Sequence, residues 1–343
     1  MARHPYNDQP DRAFWSRSVA RNWSPVDLVT ADEPILRADS RVMSAGSCFA
    51  ANIVPHLEAA GYRYVRTETA QANERFGYEL YSAAYGNIYT ARQWLQLIDR
   101  AEGRFQPRED RWATSDAVID PFRPGLPYPA ESQEEFELLT RSHLDRVLAA
   151  ILECNLFIFT LGLTESWVST LDGAVFPSCP GTIAGNFDSQ RHQFVNFTVG
   201  EVVADILGFI DRMRAIQPGL KIVLTVSPVP LVATATAQHV YTATAYSKSV
   251  LRAAAGEAVA ARPDVLYFPA YEIVTGPGSE THFADDRRTV TVEAVTTVVD
   301  AILSRSEPAA PGGADDRDRS RALKQLARQL AERECEEAMN EAK

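Results

Sequence analysis

The stretch RVMSAGSCFAANIVPHLEAAGYRYV, residues 41–65, decides how the chain is read. A short apolar run, RVMSA (41–45), breaks at Gly46-Ser47-Cys48, and an amphipathic helix pattern over 50–60 begins at once. YRYVRTE (62–68) then alternates in the manner of a more exposed strand. Three further apolar runs have strand length and turn residues at their ends: LFIFTLG (156–162), KIVLTVSP (221–228) and VLYFPAY (265–271). Such continuous runs fit strands buried on both faces. Helical spacing fills the gaps at 91–100, 131–152, 199–216, 247–261 and 292–303. Strands alternating with helices imply an α/β fold: a mostly parallel sheet of about five strands with helices on both faces, three layers α/β/α in all.

Two insertions interrupt the alternation. Residues 103–130 carry WATSDAVIDPF and a proline-rich PGLPYP, and residues 167–196 carry Leu171-Asp172-Gly173, a hairpin-turn signal between two β-like runs. Residues 1–303 are therefore expected to form one domain. SRSEPAAPGGADD (304–316) has linker composition, and 317–343 is a charged helix with Leu323, Leu326 and Leu330 along one side. That stripe suits either docking onto the domain or self-association.

The chain has 343 residues, 45% of them hydrophobic and 23% charged, with a formal net charge of -11. This composition is that of a globular protein. An acidic balance argues against a nucleic-acid backbone or an anionic membrane as the main partner. No run of 18 apolar residues occurs and the N-terminus lacks the apolar core of a signal peptide, so a cytoplasmic protein without an integral membrane segment is expected. The four cysteines are scattered with no CxxC pair, which predicts free thiols and no cysteine-based zinc site. No metal or organic cofactor is expected.

In a parallel sheet, ligands sit beyond the carboxyl ends of the strands. The loops to inspect are thus AGSC, TLGLTES, VSPVPL and the segment after VLYFPAY. Ser47, at the strand-to-helix turn, is placed as a nucleophile beside the free N–H groups of a helix start, though a plain N-cap is the more frequent use of such a serine. Cys48 is the rival nucleophile, or a core thiol. YGNIYT (85–90) precedes the helix at 91, and Gly86 N–H with the Asn87 amide would serve as oxyanion donors if this loop reaches Ser47. Gly162, Thr164 and Glu165 leave the strand LFIFTLG and are candidates to line a pocket. A serine nucleophile needs a base, and the six histidines are His4, His56, His143, His192, His239 and His282. His282, in SETHFADDRR after the last strand, and His239, after VSPVPL, leave the carboxyl edge of the sheet.

With these residues in view the chain resembles the GSCFA-domain family, a branch of the SGNH/GDSL-type hydrolases. GSCFA stands letter for letter at 46–50. The likeness continues through YGNIYTARQ (85–93), TLGLTESW (160–167), TVSPVPL (225–231), YSKSVLR (246–252) and FPAYEIVTG (268–276). It implies Ser47 as nucleophile in an esterase or O-acyltransferase acting on a small-molecule or glycan ester, with oxyanion help from Gly86. Two blocks depart from the superfamily pattern. Where Gly-x-Asn-Asp is usual the chain has Gly162-Leu163-Thr164-Glu165, and where Asp-x-x-His is usual it has Asp286-Arg287-Arg288-Thr289. Threonine is no general base near neutral pH. Either another histidine serves, with His282 ahead of His239 and Asp286 pointing into the cleft, or the protein is a weak or inactive member that binds its ligand in the same place.

Overall fold

A computed structural model describes residues 4–31, 33–68, 81–126 and 128–309. The charged segment 317–343, and most of the expected linker, lie outside the described residues.

Five strands form one parallel sheet: β1 (Arg41–Ala45), β2 (Arg63–Tyr64), β5 (Leu156–Leu161), β9 (Lys221–Val226) and β10 (Val265–Phe268), in the order β2-β1-β5-β9-β10. Their register sets Val42 beside Leu156, Leu156 beside Lys221, and Ile222 beside Val265. All six residues of β5 are buried, because it has a strand on each side and a helical layer on each face. Alternation of side chains across the sheet then sorts the core in two. Met43, Ala45, Phe157, Phe159, Leu161, Ile222, Leu224 and Val226 pack beneath α3 (Ala91–Ala101), α4 (Gln133–Glu153), α5 (Val199–Ile216) and α6 (Val240–Ala261). Val42, Leu156, Ile158 and Val223 face the opposite way, onto α2 (Cys48–Ala59), α7 (Ala270–Thr275) and α8 (Val292–Leu303). The sandwich is three layers deep. Trp94 of α3 stacks on Phe157 with ring centroids 5.1 Å apart, so truncating either would open a large cavity at about 3–5 kcal/mol.

Boundaries differ from expectation where the surface intrudes. The strand expected over 62–68 shrinks to two residues, since it lies at the sheet edge and has one partner. Helix α6 starts seven residues before the expected 247, with His239 as its N-cap. Its first turns are largely at the surface, Tyr241 being 78% exposed, and only the small Val240 and Ala243 pack inward there, onto Tyr89, Leu163 and Leu231, which is too weak a pattern to read. In the insertions, β3 (Trp112–Ala113) pairs antiparallel with β4 (Val118–Ile119). The hairpin at Leu171-Asp172-Gly173 forms between β6 (Glu165–Ser169) and β7 (Val175–Phe176), and an unforeseen third strand, β8 (His192–Asn196), pairs with β6 on its other side. Residues 305–307, read as the start of a linker, are hydrogen-bonded to the 34–38 segment: Ile35 N–H donates to Arg305 O (2.8 Å) and Glu307 N–H to Leu36 O (2.9 Å).

Candidate active site

Three loops are laced together at the carboxyl edge of the sheet. The first is the turn from β1 into α2. Gly46 has φ +153°, and a Cβ there would lie 2.7 Å from Ala50 Cβ and 2.8 Å from Thr160 Cβ, so no other residue fits so close to β5. Ser47 follows as the N-cap of α2, yet its side chain makes no capping bond. Ser47 Oγ has no hydrogen-bond partner among the described residues, although the residue is only 5% exposed. Ser47 Oγ is not among the unpartnered side-chain atoms sealed from solvent, so it is open to an incoming molecule. It belongs to the residue beside the N–H groups that open a helix.

The second loop is 85–90. Ile88 N–H donates to Gly46 O at 2.9 Å, and the Tyr85 hydroxyl donates to Ser44 O. The loop therefore does reach the serine turn. Gly86 takes φ +68° with open space around it, a backbone shape that a side chain would strain. Asn87 Oδ1 accepts from the Tyr81 hydroxyl at 2.7 Å, which fixes the amide and leaves its NH2 as an unused donor among the described residues. A capping box anchors the far end: Gln93 Oε1 accepts from Tyr89 N–H and Thr90 N–H, while Thr90 Oγ1 accepts from Gln93 N–H.

The third loop, 162–164, is spoken for. Gly162 N–H and Leu163 N–H both donate to Tyr89 O (3.1 and 2.9 Å), and Thr164 N–H donates to Ser247 Oγ (3.1 Å). The Thr164 hydroxyl donates to Asn196 Oδ1 at 2.7 Å, and Thr164 is fully buried. Its donors are used in holding the loop, not in facing a ligand. Glu165 accepts from Thr234 Oγ1 (2.7 Å) and Ala235 N–H (3.3 Å), tying the loop after β9 to the same edge. Lys248, which sequence reading passed over, lies buried in α6 and donates from Nζ to Gly162 O at 2.7 Å. A signal for it existed. Lys248 belongs to the buried side of α6, together with Ala243, Ser247, Val250, Leu251, Ala254, Ala255 and Ala258.

The histidines separate. His282 is buried, and its Nδ1–H donates to Val274 O at 2.9 Å, the end of α7. That bond sets the tautomer and leaves Nε2 as a bare acceptor, the form a general base needs. The neighbouring Phe283 packs on the apolar cluster that contains Phe49, two residues beyond Ser47. His239, by contrast, is an exposed helix cap whose Nδ1 accepts from Tyr241 N–H at 3.2 Å. Asp286 is exposed and closes on its own turn, accepting from Arg288 N–H (2.9 Å), Thr289 N–H (2.8 Å) and Thr289 Oγ1 (2.6 Å). Desolvation opposes its charge, but these donors outweigh it and hold the carboxyl below the usual range. Asp286 and Thr289 thus serve each other, and neither bonds to His282.

His192 and His143 are structural by their contacts. His192 Nδ1 accepts from Asp188 N–H, and its Nε2–H donates to Glu109, which also accepts from Arg191 (2.8 Å) and Trp112 Nε1 (2.8 Å). This knot fastens the 103–130 insertion to β8. His143 Nδ1 meets Glu68 at 2.7 Å; burial, then the Arg123 charge, hold its pKa below the ordinary value. Burial pushes the Cys154 thiol up to about 12 and Cys179 up to about 11, so both stay protonated near neutrality. Among the described residues no group of three His, Cys, Asp or Glu is arranged to hold a metal, and no helix is long and apolar enough to cross a membrane.

The described site is a serine at the first strand-to-helix turn of a parallel three-layer sandwich, pinned by a glycine-asparagine loop. The chain belongs to the GSCFA family, whose model matches residues 41–301. No curated protein matches the sequence. Among solved structures it is similar to an acetyl esterase variant with an acetate ion (10% identity, 84% of this chain and 99% of that one, TM-score 0.35). It is also similar to a carbohydrate esterase of family 3 from Talaromyces cellulolyticus (10%, 86% and 99%, 0.34) and to a family 3 carbohydrate esterase of Clostridium thermocellum (9%, 84% and 98%, 0.32).

Proposed function

We propose that the protein is a serine esterase or O-acyltransferase acting on the O-acyl group of a small molecule or glycan. Ser47 Oγ attacks the acyl carbonyl while His282 Nε2 takes its proton. Gly86 N–H and the Asn87 NH2 receive the developing oxyanion, helped by the N–H groups at the start of α2. The tetrahedral intermediate collapses, and the leaving alcohol regains the proton from His282. Water or a second alcohol then attacks the acyl-enzyme with the same histidine as base, completing hydrolysis or transfer. In this scheme Val274 O orients the base, where a carboxylate would do so in a triad. The observation that carries the reading is Ser47 itself, a buried N-cap serine whose hydroxyl is bonded to nothing in a loop pinned by Ile88.

The test is turnover of short-chain p-nitrophenyl esters, expected to vanish in Ser47→Ala and persist in Cys48→Ala. Loss in Cys48→Ala alone would move the nucleophile one residue along. A second reading has one observation in its favour: Asp286 is closed on Thr289, so no carboxylate orients the histidine. On that reading the cleft binds an acylated ligand without turnover, and binding of an acetylated sugar by a protein inert to esters would support it.

A further inference from the structure

The segment before β1 is packed onto the domain. Val29 is buried, and Val26 and Leu28 lie against the apolar cluster that holds α7 and α8. Just ahead of them, Trp23 covers the turn that leaves α7. A Cβ on Gly276, the C-cap of α7, would come 2.9 Å from Trp23 Cζ2, 3.0 Å from Cη2 and 2.5 Å from Glu272 O. The space over Gly276 is thus filled by the indole, and only a glycine leaves room for it. Trp23 Nε1 also lies 3.9 Å from where a Cβ on Gly278 would be, and Gly278 takes φ +83°.

This turn carries His282. Gly278 precedes the short helix Ser279–Thr281, and His282 follows it directly. On one side His282 is tied to the start of α8: Thr291 N–H donates to His282 O (3.0 Å) and Thr291 Oγ1 to Thr281 O (2.9 Å). On the other side the turn closes on itself, through His282 N–H to Ser279 O (3.1 Å) and the imidazole Nδ1–H to Val274 O (2.9 Å). The bond to Val274 spans two glycines, the residue type that loses most freedom on folding. Backbone of this kind opens readily unless something packs on it. We propose that Trp23 is a positioning residue for His282. Its indole clamps the 276–281 turn, holds Val274 O within reach of Nδ1–H, and so keeps the tautomer in which Nε2 accepts a proton. The proposal rests on His282 being the base of the proposed esterase. It makes the segment before β1, which lies outside the matched residues 41–301, a support of the active site.

Two readouts on the full chain separate the clamp from the base. In NMR of isotope-labelled histidines, the His282 signals are assigned by their absence from His282→Gln. The wild type should show the Nδ1–H tautomer, and Trp23→Ala a mixture of tautomers. In ester turnover, Trp23→Ala should lose about 10–10²-fold in kcat with KM changed by less than about twofold, as for a displaced catalytic group. Trp23→Phe should keep most of the rate. In a His282→Gln background, Trp23→Ala should cost less than about twofold more, because the indole acts through that imidazole. Trp23→Leu takes the place of Trp23→Ala throughout if the latter does not fold. A tautomer unchanged in the folded variant, a wild-type His282 in the other tautomer, or an equal loss with and without His282 would each overturn the proposal. A shifted tautomer together with full turnover in His282→Gln would uphold the clamp and overturn the base.

Discussion

Two regions of this molecule bury polar side chains, and they treat them in opposite ways. In the Glu109 knot, the carboxylate receives His192, Arg191 and Trp112, and the second nitrogen of His192 is satisfied by Asp188. In the residues proposed for catalysis, groups of equal polarity are oriented but unspent among the described residues: the Ser47 hydroxyl, the Asn87 NH2 and His282 Nε2. The orienting bonds fall on the far ends of these side chains, from Tyr81 to Asn87 and from His282 to Val274. A buried group with every bond made stabilises the fold, while one fixed at its far end and empty at its near end can still bond a ligand. On the proposed function, that difference is the one between scaffold and site.

Substitutions can break the contrast. Ser47→Ala should show the largest effect, a fall in kcat/KM for a short-chain ester of at least about 10³-fold with Tm little changed, because no bond within the fold is lost. His282→Gln should follow with a loss of about 10²–10⁴-fold, while His239→Gln stays within a factor of two or so. Equal losses at the two histidines would remove the distinction drawn from their contacts. Asn87→Ala should cost about 10²-fold in kcat with less effect on KM, as expected of an oxyanion donor. The knot should respond the other way round. Glu109→Ala is expected to lower stability by roughly 2–4 kcal/mol in denaturant unfolding, with the folded fraction keeping its kcat.

The smallest effect is one of pH. His143 has its folded pKa depressed, so below about 6.5 the unfolded chain binds the proton that the native state refuses. Its contribution is full above that pH and is lost as pH falls through it. His56, also depressed by burial, acts in the same direction. Melting between pH 7.5 and 5.5 should therefore show Tm falling with acid, and His143→Gln should flatten the slope while leaving some of it to His56.

Much of the architecture was legible because β5 and β9 are buried on both faces and so read as unbroken apolar runs. Elements at the surface were not. β2 is an edge strand of two residues, and the mostly exposed start of α6 turns only Val240 and Ala243 inward. At the candidate site, the local setting of Ser47, Gly86 and Asn87 could be read, since a strand-to-helix turn and a Gly-Asn loop declare themselves in a few residues. The bond from Ile88 to Gly46 joins residues far apart in sequence, and no local pattern encodes it. Lys248 was hidden by its charge, which counts toward the surface until the stripe of α6 is seen to continue through it. Asp286 was misplaced for a related reason. The spacing Asp286-x-x-Thr289 is also that of a carboxylate closing its own turn, and the donors at 288 and 289 take it there.

The central claim is that Ser47 is an activated nucleophile, and a serine-directed fluorophosphonate reports on it without knowledge of the substrate. After reaction with the full-length protein, peptide mass spectrometry should find one stoichiometric adduct, on Ser47, with labelling slowed at least tenfold or so in His282→Gln and unchanged in His239→Gln. No adduct on Ser47 in a folded protein, or labelling indifferent to His282, would contradict the account.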